Sequence, residues 1–150
     1  MGLRKIVGTN AAETINGTSA DEDIKSLGGN DTVDGGAGND RIDGGDGNDI
    51  LLGGLGNDRL RGDHGNDILT GGEGRDRFVF NLQGGVDHVT DYTDGQDRLD
   101  FTNFGFATVA DLLSHATQVG TDVVFSLPTG VTVILDHVNL SVLGGRDFII

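Results

Sequence analysis

An acidic side chain recurs every nine residues through the first half of the chain, at Glu13, Glu22, Asp31, Asp40, Asp49, Asp58, Asp67 and Asp76. Carboxylates at fixed spacing can exchange protons as acid and base pairs, or they can ligate cations. A glycine-rich frame surrounds each acid and decides between these chemistries. From Gly8 to Val79 the sequence divides without a gap into eight nonapeptides: GTNAAETIN, GTSADEDIK, SLGGNDTVD, GGAGNDRID, GGDGNDILL, GGLGNDRLR, GDHGNDILT and GGEGRDRFV. The sixth position is always acidic. The eighth is always apolar, as Ile15, Ile24, Val33, Ile42, Leu51, Leu60, Leu69 and Phe78. A disordered acidic linker has no reason to keep an acid and an apolar side chain two residues apart through eight units, and the repeat explains the spacing without a glycosidase pair.

Other chemistries lack their residues. His64, His88, His115 and His137 share no metal-ligand spacing, and neither HExxH nor GxSxG occurs. Ser114 and His115 are adjacent on a candidate helix and point different ways. A phosphate loop needs GxxxxGK[ST], whereas lysine occurs only at Lys5 and Lys25. No catalytic residue is assigned, and the chain is expected to be non-catalytic or a piece of a secreted enzyme whose catalytic part lies elsewhere.

Acids outnumber Lys and Arg 24 to 10 in the 150 residues, for a net charge of -14, which argues against nucleic acid and anionic membranes as partners and favours cations. With no cysteine, any metal must accept oxygen or imidazole ligands. No apolar run approaches the roughly 18 residues of a membrane span, and Met1 to Thr9 has no signal-peptide hydrophobic region.

These acids need elements to position them. A period of nine is incommensurate with a helix, and 27 glycines against 1 proline suit turns of unusual backbone conformation rather than a linker. Positions seven to nine read as a three-residue strand with one side chain inward. If two nonapeptides make one turn of a coil, Asp31, Asp49 and Asp67 line one edge and Asp40, Asp58 and Asp76 the other. Strands in such a stack lie about 4.8 Å apart, so like charges repel by roughly 3 kcal/mol at an effective dielectric of about 20. None of the eight aromatic residues precedes Phe78, so the apolar core of this half is too thin to offset both that repulsion and the ordering entropy. A hard divalent cation that accepts carbonyls beside carboxylates resolves the conflict, and calcium fits better than magnesium or zinc.

The frame resembles the GGxGxDxUx nonapeptide of RTX (repeats-in-toxin) calcium-binding proteins; the units beginning at Gly35, Gly44, Gly53 and Gly71 keep all three motif glycines and the aspartate. The resemblance implies an all-β fold, a right-handed parallel β-roll with ions between its turns. It also implies a ligand set: the carboxylates of Asp31, Asp40, Asp49, Asp58, Asp67 and Asp76, with carbonyls from Gly36, Gly38, Gly45, Gly47, Gly54, Gly56, Gly65, Gly72 and Gly74. Four intervals, 31 with 49, 40 with 58, 49 with 67 and 58 with 76, predict about four Ca2+ ions, and up to six if the glutamate units contribute. Glu13 and Glu22 lie in units that lack the second and fourth glycines and are expected to form a capping turn. Leu27 and Asp63 replace the second glycine elsewhere, and Asp63 is expected to hinder its turn.

After Phe80 glycine thins and apolar residues dominate. Residues 1–79 are therefore expected to form the roll and 80–150 a β-sandwich-like cap. Asp87 to Tyr92 and Asp97 to Phe101 alternate like strands, Thr108 opens a short helix through about Thr117, and Pro128-Thr129-Gly130 joins a hairpin of 122–127 with 131–135. The segment from Phe78 to Phe101 resembles the region that follows the repeats in secreted RTX proteins, serralysin-type proteases and alginate epimerase modules among them. Asp147-Phe148-Ile149-Ile150 resembles the carboxyl-terminal signal read by the type I secretion apparatus, the alternative being an ordinary edge strand. An extracellular, secreted module is the expectation. Arg41, Arg59 and Arg77, each 18 residues apart at position seven, would align as a ladder able to meet an extracellular polysaccharide such as alginate; balancing of neighbouring aspartates is the alternative.

Overall fold

Alternate nonapeptides feed opposite walls of a flattened coil, as the eighteen-residue register requires. The computed structural model describes residues 2–150. One wall is a seven-stranded sheet in the order β1 (Arg4–Val7), β3 (Glu22–Lys25), β5 (Arg41–Asp46), β7 (Arg59–His64), β9 (Arg77–Val79), β11 (Arg98–Asp100) and β15 (Phe148–Ile149). The other has eight strands: β12 (Ala116–Val119), β13 (Asp122–Ser126), β14 (Thr132–Leu135), β10 (Val86–Val89), β8 (Ile68–Glu73), β6 (Ile50–Leu55), β4 (Thr32–Gly36) and β2 (Thr14–Thr18). All pairs are parallel except β12 with β13 and β13 with β14.

Parallel stacking in register puts the eighth-position side chains in two inward columns. Ile24, Ile42, Leu60, Phe78, Leu99 and Phe148 follow one another on the first wall. Ile15, Val33, Leu51, Leu69, Val89 and Leu135 do so on the second. All twelve are buried, each contributing about 1.5–3 kcal/mol of apolar transfer. The columns widen toward the carboxyl end, where Phe80, Phe101 and Phe125 join with ring centroids 4.9 and 5.4 Å apart.

Strands β5 to β8 run six residues where three were expected, because ladder pairing continues through the glycine corner, Gly45 opposite Asp63 and Gly54 opposite Gly72. That corner demands left-handed backbone. At Gly56 φ is 132°, and an added Cβ would lie 1.7 Å from the Gly38 carbonyl oxygen. Leu27 and Asp63 take the same conformation with φ of 82° and 75°, at a cost of about 1–2 kcal/mol each. The turn at Asp63 is thus kept, and its carboxylate is held by Arg61 at 3.0 Å and by Asn81.

In the second half, β10 and β14 extend one wall and β11 and β15 the other. The expected hairpin about Pro128 is β13 paired with β14. The helix is shorter than expected: α1 covers Val109–Leu113, with the Thr108 hydroxyl accepting the Asp111 N–H at 3.1 Å. Ala116 to Val119 leave the helix because they pair with β13 around Gly120, an arrangement that suits Thr117 and Val119.

Candidate metal centre

Each sixth-position aspartate ends a corner and turns its side chain inward, so that no more than 2 % of Asp31, Asp40, Asp49, Asp58, Asp67 or Asp76 is exposed. One carboxylate oxygen of each is used within the fold. Oδ1 of Asp40, Asp58 and Asp76 accepts the N–H of Glu22, Asp40 and Asp58 at 2.7–2.8 Å. On the other edge, Oδ1 of Asp31, Asp49 and Asp67 accepts from Glu13, Asp31 and Asp49 at 2.8–2.9 Å. The second oxygen, Oδ2, is buried without a hydrogen-bond partner in all six. Among the described residues no basic side chain forms an ion pair with any of them.

Six buried, half-satisfied carboxylates in two files are costly as anions. Burial first, and neighbouring acids after it, push Asp40, Asp58, Asp67 and Asp76 up to about 6 from the ordinary 3.8 and raise Asp49 as well. The unpartnered oxygens lie against the first glycine of their own unit. A Cβ on Gly35, Gly44, Gly53 or Gly71 would stand 2.4–2.7 Å from Oδ2 of Asp40, Asp49, Asp58 or Asp76. These first glycines were absent from the expected ligand set, and they are what gives the carboxylates room.

Carbonyl oxygens are the other candidate donors. Those of Gly38, Gly47, Gly56 and Gly74 receive no backbone N–H among the described residues, whereas Gly65 accepts from Gly85 at 2.8 Å. No three carboxylates or imidazoles converge among the described residues, so a cation here must draw largely on carbonyls. Orphaned carboxylate oxygens, free carbonyls and space that a Cβ would fill together fit a hard, oxygen-seeking ion such as calcium. The structure brings the six aspartates into the two expected files, with Gly36, Gly45, Gly54 and Gly72 at second-position corners and the fourth-position glycines stacked on one another's carbonyls from turn to turn.

Sequence reasoning missed three features. Asparagine at position five makes its own ladder: Oδ1 of Asn39 and Asn57 accepts the N–H of Asn57 and Arg75, while Asn30 and Asn48 serve Asn48 and Asn66, at 2.8–3.0 Å. The aspartate files continue beyond the repeats, where Asp87 and Asp97 accept the N–H of Asp67 and Asp76 at 3.2 and 2.9 Å. Their signal was the Asp-x-apolar triplet in Asp87-His88-Val89 and Asp97-Arg98-Leu99. Burial raises Asp87 to about 7.

The third feature lies at the ends. Oε2 of Glu13 and of Glu22 accepts the N–H of Thr9 and Thr18 at 2.9 Å, and Oε1 accepts the same threonine's hydroxyl. Thr93 N–H donates to Asp97 Oδ2 at 2.8 Å in the same i, i+4 relation. The two glutamates, like Asp97 beyond the repeats, thus reach a donor four residues back where the six repeat aspartates reach none, which is the physical content of the expected capping turn.

Residues 7–51 and 43–78 match the RTX calcium-binding nonapeptide repeat family (4 copies). No curated protein sequence matches the chain. Among solved structures, the AlgE6R3 and AlgE6R2 subunits of the Azotobacter vinelandii mannuronan C5-epimerase are similar at 24 % identity. Their TM-scores are 0.59 and 0.60, over 96 and 97 % of this chain and 81 and 91 % of theirs. Extracellular lipase LipA from Serratia marcescens is similar at 18 % identity and TM-score 0.57, over 100 % of this chain and 40 % of its own. With a sequence match over the repeats and a shared fold over almost the whole length, residues 7–78 of the chain are RTX calcium-binding nonapeptide repeats wound as a parallel β-roll.

Proposed function

We propose that the chain is a calcium-dependent folding module: a loose chain where calcium is scarce, exported by a type I secretion apparatus, and ordered outside the cell where the ion is abundant. The observation that carries this reading is the set of six buried Oδ2 atoms without partners. In it, Asp31, Asp40, Asp49, Asp58, Asp67 and Asp76 are ligands, with the carbonyls of Gly36, Gly38, Gly45, Gly47, Gly54, Gly56, Gly65, Gly72 and Gly74. Gly65 uses its second lone pair. Calcium in the array supplies the positive charge that the files lack. Residues 1–79 form the responsive roll and 80–150 the cap that closes it and presents the terminal Asp147-Phe148-Ile149-Ile150. Calorimetric titration of metal-stripped protein, followed by far-ultraviolet circular dichroism, is expected to count about four to six Ca2+ per chain, with strand signal rising as the ions bind. Magnesium is expected not to replace it. Full strand signal in the metal-stripped protein at neutral pH would overturn the reading.

A second reading, recognition of an acidic polysaccharide, is favoured by register. Arg41, Arg59 and Arg77 pair directly across β5, β7 and β9. Arg77 alone of the three has an acidic partner at ion-pair distance, Asp100, among the described residues, while Asp23 stands opposite Arg41 across β3 and β5. Burial, then Arg61 and Arg77, lowers Arg59 from its ordinary value against the opposing pull of Asp100 and Asp43. Changing the three arginines to alanine is expected to weaken binding to alginate by about tenfold or more while leaving the calcium count unchanged, both measured by calorimetry. Equal binding by the variant removes the ladder from consideration.

A further inference from the structure

Beyond the ladder, we propose that the carboxyl-terminal end of the arginine-bearing wall is a pocket for one oxyanion group, held by Arg75, Arg77, Arg98 and Arg146. The four side chains line a single cavity of about 570 Å3, backed by Asp76 and Asp97. Arg77 and Arg98 stand opposite each other across β9 and β11. Arg75 enters from the loop before β9, and Arg146 from the loop before β15. The convergence therefore depends on chain segments far apart in sequence, and the nonapeptide period does not generate it.

Charge makes the arrangement informative. In a chain of net charge -14, four guanidiniums share one cavity, and among the described residues only Arg77 has an acidic partner. Arg61, on the same wall, shows how the fold neutralises an arginine when it does so: Asp43 and Asp63 both reach it. The acids behind the pocket are committed inward. Asp97 spends its two oxygens on the N–H groups of Asp76 and Thr93, and Asp76 gives Oδ1 to Asp58. Asp97 is 5 % exposed and Asp76 2 %, so neither reaches out to pair with the guanidiniums.

Guanidinium forks match the paired oxygens of carboxylate, sulfate or phosphate, and several together compensate the desolvation that a single one would not. The ligand class is thus an oxyanion, either a free ion or the acid group of a sugar. The pocket stands whether or not a longer polyanion lies along Arg41 and Arg59.

The test uses calcium-saturated full chain, its fold checked by circular dichroism, with the arginine Nε–H resonances followed by nuclear magnetic resonance. Sodium sulfate and sodium glucuronate are titrated separately at constant ionic strength, with sodium chloride as control. Saturable shifts of Arg77 and Arg98 with at least one oxyanion, and none with chloride, are expected. Sulfate alone would assign a free ion, and glucuronate a sugar acid. Arg98→Ala with Arg146→Ala, both exposed, is expected to weaken the response at least about tenfold. Should that pair lose its circular dichroism, Arg75→Ala, outside any strand, gives the same readout. The proposal is overturned if neither oxyanion produces saturable shifts, or if the variants respond like the original chain. Because calcium saturation and fold are verified beforehand, such a failure leaves the calcium reading intact.

Discussion

At Asp58, Oδ1 accepts the Asp40 N–H at 2.7 Å while Oδ2 faces Gly53 with no donor in reach. Either a proton or a cation must compensate that second oxygen, and the two compete for it. For Asp40, Asp58, Asp67 and Asp76 the folded-state value, about 6, lies above the ordinary 3.8. The folded roll therefore binds more protons than the unfolded chain between those values. Without metal, the stabilisation from protonation is complete below about pH 3.8 and is lost as pH rises through about 6. Metal-stripped protein is thus expected to be most ordered near pH 4 and to lose strand signal by about pH 7, read by circular dichroism across the range. With calcium present the dependence reverses, since each ion displaces protons: apparent affinity should climb over the same window and level off above it. Metal-free order that increases from pH 4 to 7 would contradict the account of these oxygens.

At the scale of one corner, two kinds of unit share one backbone path. Gly-Gly-x-Gly-x-Asp leaves an oxygen unpaired, whereas Gly-Thr-x-x-x-Glu closes on itself, as Thr18 and Glu22 do through both N–H and hydroxyl. On the proposed reading, the clasp does from within the protein what a cation does for the aspartates. Converting the second unit with Thr18→Gly, Ala20→Gly and Glu22→Asp should therefore add one calcium ion per chain by calorimetry. It should also destabilise the metal-free protein by about 1–2 kcal/mol through the lost hydrogen bonds. An unchanged ion count would mean that the clasp does not set the limit of the array. Corners such as Gly35 to Asp40 were legible in the sequence because an unbroken period leaves only one register, and register fixes which side chains face inward. The rungs at Asp87 and Asp97 were not, since their offsets of 20 and 21 residues break the period while the ladder bonds persist. The clasps were half legible: the replacement of aspartate by glutamate marked the first two units as different, but did not show that Thr9 and Thr18 each donate both an N–H and a hydroxyl to it.

Across the whole molecule, stability is divided unevenly along a continuous pair of sheets. Phe80, Phe101, Phe125 and Phe148 pack together at the carboxyl end, with Leu112, Val123, Val133 and Leu135 buried around them. In the middle turns each strand of a wall buries a single apolar side chain of its column, beside an aspartate with an empty oxygen. Apolar burial needs no counter-charge, whereas closing the aspartate files calls for a proton or a cation on each second oxygen. Removing calcium should consequently open the molecule in parts, the middle turns first, because local stability follows the local balance of burial and charge. Hydrogen exchange on metal-stripped protein at pH 7 is expected to find the amides of β4 to β8 unprotected, with protection persisting in β13 and β14, whose antiparallel pairing is local in sequence and whose inner face, Val123, Phe125, Val133 and Leu135, is wholly apolar. Restoring calcium should return protection to β4 through β8 as one cooperative block, since each aspartate's Oδ1 holds the amide of the turn before it and no corner can order alone. Uniform loss of protection over both halves would instead tie the cap to the roll in a single unit, with the terminal aromatic cluster unable to stand without the cations.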